Sequence, residues 1–220
     1  VTVLPVTVLV VAKAPVPGLA KTRLAASIGD TAAADIAAAA LLDTLDAVAA
    51  APVAHRVVAM TGELSRASRG DEISRRLADF TVIPQRGAGF ADRLANAHTD
   101  AAAGAPVLQI GMDTPQVTAE LLADCSRALT GTDAVLGPAE DGGWWVLGVA
   151  RPAMADCLRT VPMSRPDTGV STLAALRRNG VEVVTVDELA DFDTVEDIDA
   201  VRGKCSPGSR FALATIAVGA

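Results

Sequence analysis

The chain predicts an α/β fold: a doubly wound, mostly parallel central sheet with helices on both faces. Two observations carry that expectation. Short apolar, β-branched runs alternate with Ala- and Leu-rich stretches of helical pattern almost throughout. Half of the residues are hydrophobic, yet aromatics make up only 3% and tyrosine is absent. The core must then be built from Val, Leu, Ile and Ala, which suits strands covered by helices better than an aromatic-rich sandwich. At 220 residues the chain can bury a sizeable single core.

The first element is the run Val6 to Ala12, continuously apolar and β-branched, the pattern of a strand buried on both faces. It enters APVPGLAKTRL, whose two prolines and one glycine force a loop. Asp30 or Thr31 caps a long helix reaching about Ala50. Strands are expected at Arg56 to Met60 and Thr81 to Ile83, then a helix from Phe90 to Ala103 and a buried strand from Pro106 to Ile110. Thr118 caps a helix toward Leu129, and strands follow at Ala134 to Leu136 and Trp144 to Val149. Gly169 to Asn179 reads as a helix stopped by Gly180, Val181 to Val186 as a strand and Thr194 to Val201 as a closing helix. After Gly203 the pattern changes and Pro207 and Gly208 interrupt it. Residues 1–203 are therefore expected to form the domain, with 204–220 as a C-terminal appendage.

Charge and cysteine usage exclude several classes. A formal net charge of −7 argues against a nucleic-acid binder, which needs a basic surface to displace counterions. It leaves room for one phosphate-bearing small molecule held by local cations. Cys125, Cys157 and Cys205 are widely spaced and show no C-x-x-C pair, which points to a reducing cytoplasm rather than a zinc or disulfide framework. The apolar runs fall well short of the roughly 20 residues of a membrane span, so no span is expected. Nothing in the pattern excludes an oligomer. The G-x-S-x-G elbow and the G-x-G-x-x-G fingerprint are both missing, and His55 and His98 lack metal spacing.

Four segments can carry chemistry. Lys13, Gly18, Lys21 and Arg23 lie in the loop after the first strand, where glycine N–H groups and cations suit phosphates. This is not a Walker A loop, because Ala20 and Pro15 stand where its glycines would be. In GMDTP, Asp113 follows a central strand directly, although Asp ahead of Pro115 also serves as an ordinary turn residue. GPAEDGGWW brings Glu140 and Asp141 before Gly142, Gly143 and Trp144; Asp-Gly is equally a hairpin signal. In ADFDTVED, Asp191 and Asp193 alternate around Phe192 and can present two hard oxygens to Mg²⁺ or Mn²⁺. Asp193 or Thr194 can equally be a helix cap, with Glu196 and Asp197 in the first turn.

Taken in order, AKAPVPGLAKTRL, GMDTP, GPAEDGGWW and DFDTVED resemble a bacterial family of small GT-A-type glycosyltransferase-like proteins. Some of its members are assigned to arsenosugar biosynthesis. The family is similar in fold to the guanylyltransferases for molybdenum cofactor and for 2-phospholactate. The resemblance spans about Val6 to Val201. It implies a GT-A three-layer sandwich, a nucleotide across the carboxyl ends of the first strands, and Mg²⁺ or Mn²⁺. On that basis Ala12, Lys13, Gly18, Lys21, Arg23, Gln85, Gly87 and Asp113 face the nucleotide and its phosphates. Asp113, Asp191 and Asp193 match the metal-binding aspartates, with Val195 where relatives carry proline. Glu140 and Asp141 stand with Asp113 as the catalytic set, and Gly142, Gly143 and Trp144 face the acceptor. The chain departs from the pattern at MSRPDTGVST, Met163 to Thr172, where relatives read Trp-Ser-Thr, and at QRGAGFADRL, Gln85 to Leu94. Both departures fall on the acceptor side.

The expected activity is metal-dependent glycosyl transfer from a nucleotide sugar to a small-molecule acceptor. The alternatives are nucleotidyl transfer from a nucleoside triphosphate with release of pyrophosphate, and a nucleotide-binding module without catalysis.

Overall fold

An apolar run with both faces buried needs a layer on each side, and the first strand shows how the chain supplies them. In the computed structural model, which describes residues 2–218, β1 (Leu4–Lys13) sends Val6, Val8, Val10 and Ala12 into one core and Leu9 and Val11 into another. Side chains alternate across a strand, so an unbroken apolar run is what two covered faces demand.

The remaining elements follow in order. Helix α1 (Thr22–Ile28) begins inside the segment expected to be loop and runs on beyond it. Helix α2 (Asp30–Ala50) and strand β2 (Val53–Thr61) come next, then a 3₁₀ turn at Leu64–Arg66 and α3 (Gly70–Leu77). Strand β3 (Thr81–Pro84), α4 (Phe90–Ala101), β4 (Val107–Ile110) and α5 (Ala119–Leu129) lead to β5 (Ala134–Pro138) and β6 (Trp144–Val149). A 3₁₀ stretch, Pro152–Thr160, precedes α6 (Thr168–Arg178), β7 (Val183–Thr185), α7 (Val195–Lys204) and α8 (Arg210–Ala214). Thr118 caps α5 as its residue type suggests, its hydroxyl accepting from the Leu121 N–H at 3.1 Å.

The seven strands run in the order β3-β2-β1-β4-β6-β5-β7. β1 pairs in parallel with β2 and β4, β2 with β3, and β5 with β7; β6 is antiparallel to both its neighbours. The chain winds outward from β1 to β3, then returns to the other side of β1 to form β4. The carboxyl ends of β1 and β4 thus diverge into loops on opposite sides, the point where such sheets hold ligands.

Helices α2, α3 and α5 cover one face of the sheet, and α4, the 3₁₀ stretch and α6 cover the other. The alanines of α2 let it sit close to the sheet through Ala38, Leu41 and Leu42. Its opposite side, through Ala33, Ile36 and Ala40, joins a third cluster with Leu24, Phe192, Ile198, Val201 and Phe211. The segment after Gly203 belongs to that cluster: Phe211 is fully buried, and Arg210 reaches Asp46 at 2.6 Å and Glu72 at 2.9 Å. No described helix is long and apolar enough to cross a membrane.

His98 of α4 is completely buried and neither ring nitrogen has a hydrogen-bond partner. Burial alone drives its pKa down from 6.5 to about 3. Between these two values the unfolded chain binds a proton that the folded chain does not, so stability falls as pH drops. The loss from this residue is at most about 1.4 kcal/mol per pH unit. In His98→Leu the acid side of the stability profile is expected to flatten, read by urea unfolding between neutral pH and about pH 5. An unchanged profile would show that the imidazole is not held neutral.

Candidate active site

Because β1 and β4 part company at their carboxyl ends, the crevice between them opens into a cavity of about 370 Å³. Its floor is formed by Ala12 and Lys13 from β1 and by Gly111 to Thr114 after β4. Asp141, Gly143 and Trp144 close one side, and Gln85, Phe90 and Arg93 the other. Asp191 and the segment Met163 to Arg165 complete the wall.

Gln85 is tied down by two strands at once. Its amide nitrogen donates to the carbonyl oxygens of Ala12 at 2.8 Å and Ala59 at 2.9 Å. Both amide hydrogens are thereby used, and the amide oxygen remains as an acceptor. Gly87 explains the tight turn that follows: φ is 137°, and a Cβ there would meet the Asp92 Cβ at 2.7 Å. Lys13 donates from Nζ to the Leu19 carbonyl at 2.8 Å, which folds its ammonium back over the loop that contains Gly18.

Below this floor lies Lys21. Its side chain is only 7% exposed, and its Nζ stands 3.1 Å from Asp113 Oδ2 and 2.9 Å from Asp193 Oδ1. It also donates to the Phe192 carbonyl and sits 4.3 Å from the centre of the Phe192 ring. The residue has φ 47°, a left-handed backbone unusual for a non-glycine, immediately before α1. Burial works against the ammonium, but the Asp113 and Asp193 charges outweigh it and raise the Lys21 pKa above 10.5. Arg23 adds a peripheral contact to Asp193 at 3.3 Å and is itself well exposed.

The metal set expected from the resemblance is not gathered into a three-ligand site in this structure. Asp113, Asp191 and Asp193 do not close on one cation: among the described residues no group of three or more acidic, histidine or cysteine side chains is arranged to hold a metal. The ammonium of Lys21 bridges Asp113 and Asp193 instead. Lys21 and Asp193 are 172 positions apart, so no local pattern couples them.

Asp191 has a different character. Burial first, then the Asp141 charge, pushes its carboxyl up from 3.8 to about 6, with Lys21 opposing. A carboxyl that titrates there can exchange a proton near neutrality.

The acidic-glycine loop is locked to the segment that departs from the family pattern. The Gly169 N–H donates to the Gly142 carbonyl at 2.8 Å. Gly142 has φ 87°, and a Cβ there would lie 1.9 Å from the Pro166 carbonyl oxygen. Only glycine allows the two loops to approach this closely. Asp141 turns its Oδ1 to the Gly143 N–H at 2.8 Å.

The cavity wall thus brings together Ala12, Lys13, Gln85, Asp113, Asp141, Gly143, Trp144 and Asp191. Gly18, Lys21, Arg23, Gly87, Gly142 and Asp193 stand behind or beside it. Glu140 is not brought to the cavity: its carboxylate pairs with Lys204 at 3.3 Å. Phe90, Arg93 and Arg165 also line the cavity; the sequence marks them only as members of the two departing segments, Gln85 to Leu94 and Met163 to Thr172. Arginine in the first turn of an amphipathic helix carries no distinguishing signal.

A seven-stranded mixed sheet with its cavity at the β1/β4 crevice defines the GT-A class of nucleotide-diphospho-sugar-transferase-like α/β sandwiches. The chain belongs to the family described as "Uncharacterized protein conserved in bacteria (DUF2064)", which it matches over residues 44–165. It is similar to a proposed nucleotide-diphospho-sugar transferase from Desulfovibrio desulfuricans G20, with 25% identity and a TM-score of 0.83 over 96% of this chain and 94% of that one. Two more distant structures share the fold. The Mycobacterium tuberculosis H37Rv protein Rv0371C in complex with manganese has 18% identity and a TM-score of 0.54, covering 91% and 98% of the two chains. The 4-diphosphocytidyl-2C-methyl-D-erythritol synthase of Anaerococcus prevotii DSM 20548 has 13% identity and a TM-score of 0.58, covering 89% and 95%. No curated protein matches the sequence significantly.

Proposed function

We propose that the protein transfers a glycosyl group from a nucleoside-diphosphate sugar to a small-molecule acceptor. The observation that carries this reading is the placement of Lys13 and Asp113 at the carboxyl ends of the two adjacent central strands, on the floor of one cavity. Likeness to the Desulfovibrio protein supports the donor class.

The chemistry follows from charge. Cleavage of the sugar–phosphate bond builds negative charge on the leaving diphosphate, and Lys13 lies on the cavity wall to receive it. Lys21, held beneath the floor by Asp113 and Asp193, keeps the local potential from becoming purely acidic. An acceptor oxygen attacks the anomeric carbon while its proton passes to a carboxylate. Asp141 and Asp191 both line the cavity, and Asp191, with a pKa near 6, is better matched to proton transfer. The three free cysteines agree with action in the reducing cytoplasm.

Product analysis tests the reading. The protein is incubated with nucleotide sugars and, separately, with nucleoside triphosphates, each with Mn²⁺ or with chelator. Release of free nucleoside diphosphate is the expected result. Release of pyrophosphate would replace glycosyl transfer by nucleotidyl transfer, and binding without turnover would leave a nucleotide-binding module. The chelator arm reads whether a divalent ion joins Lys13 and Lys21.

A further inference from the structure

Among the described residues each cation around the cavity has a partner in the chain, with one exception, and Lys13 and Arg165 keep further donors free. Lys13 donates to the Leu19 carbonyl and Arg165 pairs with Asp167 at 3.1 Å. Lys21 is held by Asp113 and Asp193. Arg93 alone forms no ion pair and no side-chain hydrogen bond among the described residues, and its Nε is buried without an acceptor. The acids of its own helix are taken by other arginines: Asp92 by Arg159 at 3.2 Å and Asp100 by Arg86 at 2.7 Å. An unpaired guanidinium N–H out of reach of water costs about 1–3 kcal/mol. Such a group on a cavity wall is an open demand for an acceptor.

Its setting is prepared for one. The Arg93 guanidinium carbon lies over the Phe90 ring, 5.7 Å from its centre, and Phe90 is 45% exposed. That contact holds the guanidinium without using its N–H donors, which stay available for bidentate binding of carboxylate or phosphate. Arg165 adds a second guanidinium to the same cavity, next to Ser164, whose φ of 57° is a left-handed backbone on a non-glycine. The charges across the cavity have the opposite sign: Asp113, Asp141 and Asp191. An anionic group is repelled there and attracted toward Arg93, whereas a neutral hydroxyl is drawn to the carboxylates.

We propose that Arg93, assisted by Arg165, binds a phosphate or carboxylate group on the acceptor and so turns the acceptor's hydroxyl toward Asp141 and Asp191. This deepens the glycosyl-transfer reading and rests on it for the word acceptor; the anion site itself does not depend on the donor. Arg93 is then a specificity residue of the reaction.

The test uses the full chain and tryptophan fluorescence, since Trp144 lines the cavity. Glycerol 3-phosphate and glycerate are titrated as probes, with glycerol as the uncharged control. The wild type is expected to bind at least one anionic probe and to ignore glycerol. Arg93→Met is expected to weaken that binding at least about tenfold, and Arg93→Lys to fall between, because a point charge replaces the fork. Nucleoside diphosphates, titrated separately, should bind Arg93→Met within about threefold of wild type. Three results would overturn the proposal: no anionic probe binds the wild type, Arg93→Met binds it unchanged, or Arg93→Met weakens nucleoside diphosphates as strongly as the probe. The last would assign Arg93 to the donor's own phosphates. If nucleoside diphosphates fail to bind the wild type while the anionic probe binds through Arg93, the donor reading fails and the anion site stands. Unfolding curves of both variants confirm that the fold is retained, and Arg93→Lys keeps the test valid should the methionine variant unfold.

Discussion

Lys21→Met is expected to lose about 2–3 kcal/mol of stability and all measurable donor binding. Removing one partner of a buried ion pair typically costs about 3–5 kcal/mol, because the remaining charge is left uncompensated. The lower figure applies here because Asp113 and Asp193 keep 38% and 46% of their side-chain exposure. The cost also has a distinctive signature. Without the ammonium, Asp113, Asp191 and Asp193 repel one another, so adding Asp193→Asn to Lys21→Met should restore part of the loss. Urea unfolding of the two single variants and the double variant measures this coupling. Additive losses would mean that the Lys21–Asp193 contact at 2.9 Å contributes no coupling energy.

The second large effect is expected far from the cavity. Phe211 is fully buried against Phe192, with ring centres 4.7 Å apart. Phe192 in turn carries Lys21 over its ring and through its carbonyl. Truncating a buried phenylalanine costs about 3–5 kcal/mol through lost transfer energy and the cavity left behind. Phe211→Ala is therefore expected to destabilise by that amount and, in the surviving folded fraction, to weaken donor binding by loosening the bed of Lys21. Phe211→Leu, which refills most of the volume, should recover most of both. Full stability in Phe211→Ala would show that the C-terminal segment hangs from the domain rather than completing it.

These two chains of contact also show what was legible beforehand. β1 announced itself because a strand covered on both faces needs an unbroken apolar run. Asp113 was recognisable from its place directly after β4, and Thr118 from the residue type that caps a helix. Lys21 and Asp193 are each visible in the sequence as charged residues, one expected at phosphates and the other at a metal ion. Their pairing depends on α1 and the segment before α7 meeting across 172 positions, which no local spacing encodes. Glu140 and Asp141 are the two central residues of the turn that the Gly142 N–H closes on the Ala139 carbonyl, and they part there: Asp141 lines the cavity while Glu140 turns to Lys204. Phe211 was hidden by Pro207 and Gly208, which suggested a break, whereas the short helix beyond them fills the third core cluster.

The most direct measurement is a thermal-shift series of the purified protein against nucleoside diphosphates, nucleoside triphosphates and nucleotide sugars, each with Mn²⁺ and with chelator. A ligand at 100 times its dissociation constant adds about 2.7 kcal/mol of stability, well within reach of the method. A shift for one nucleotide base, lost in Lys21→Met, is the result that the account predicts. A folded sample that shifts with none of them would contradict the claim that the β1/β4 crevice holds a nucleotide donor.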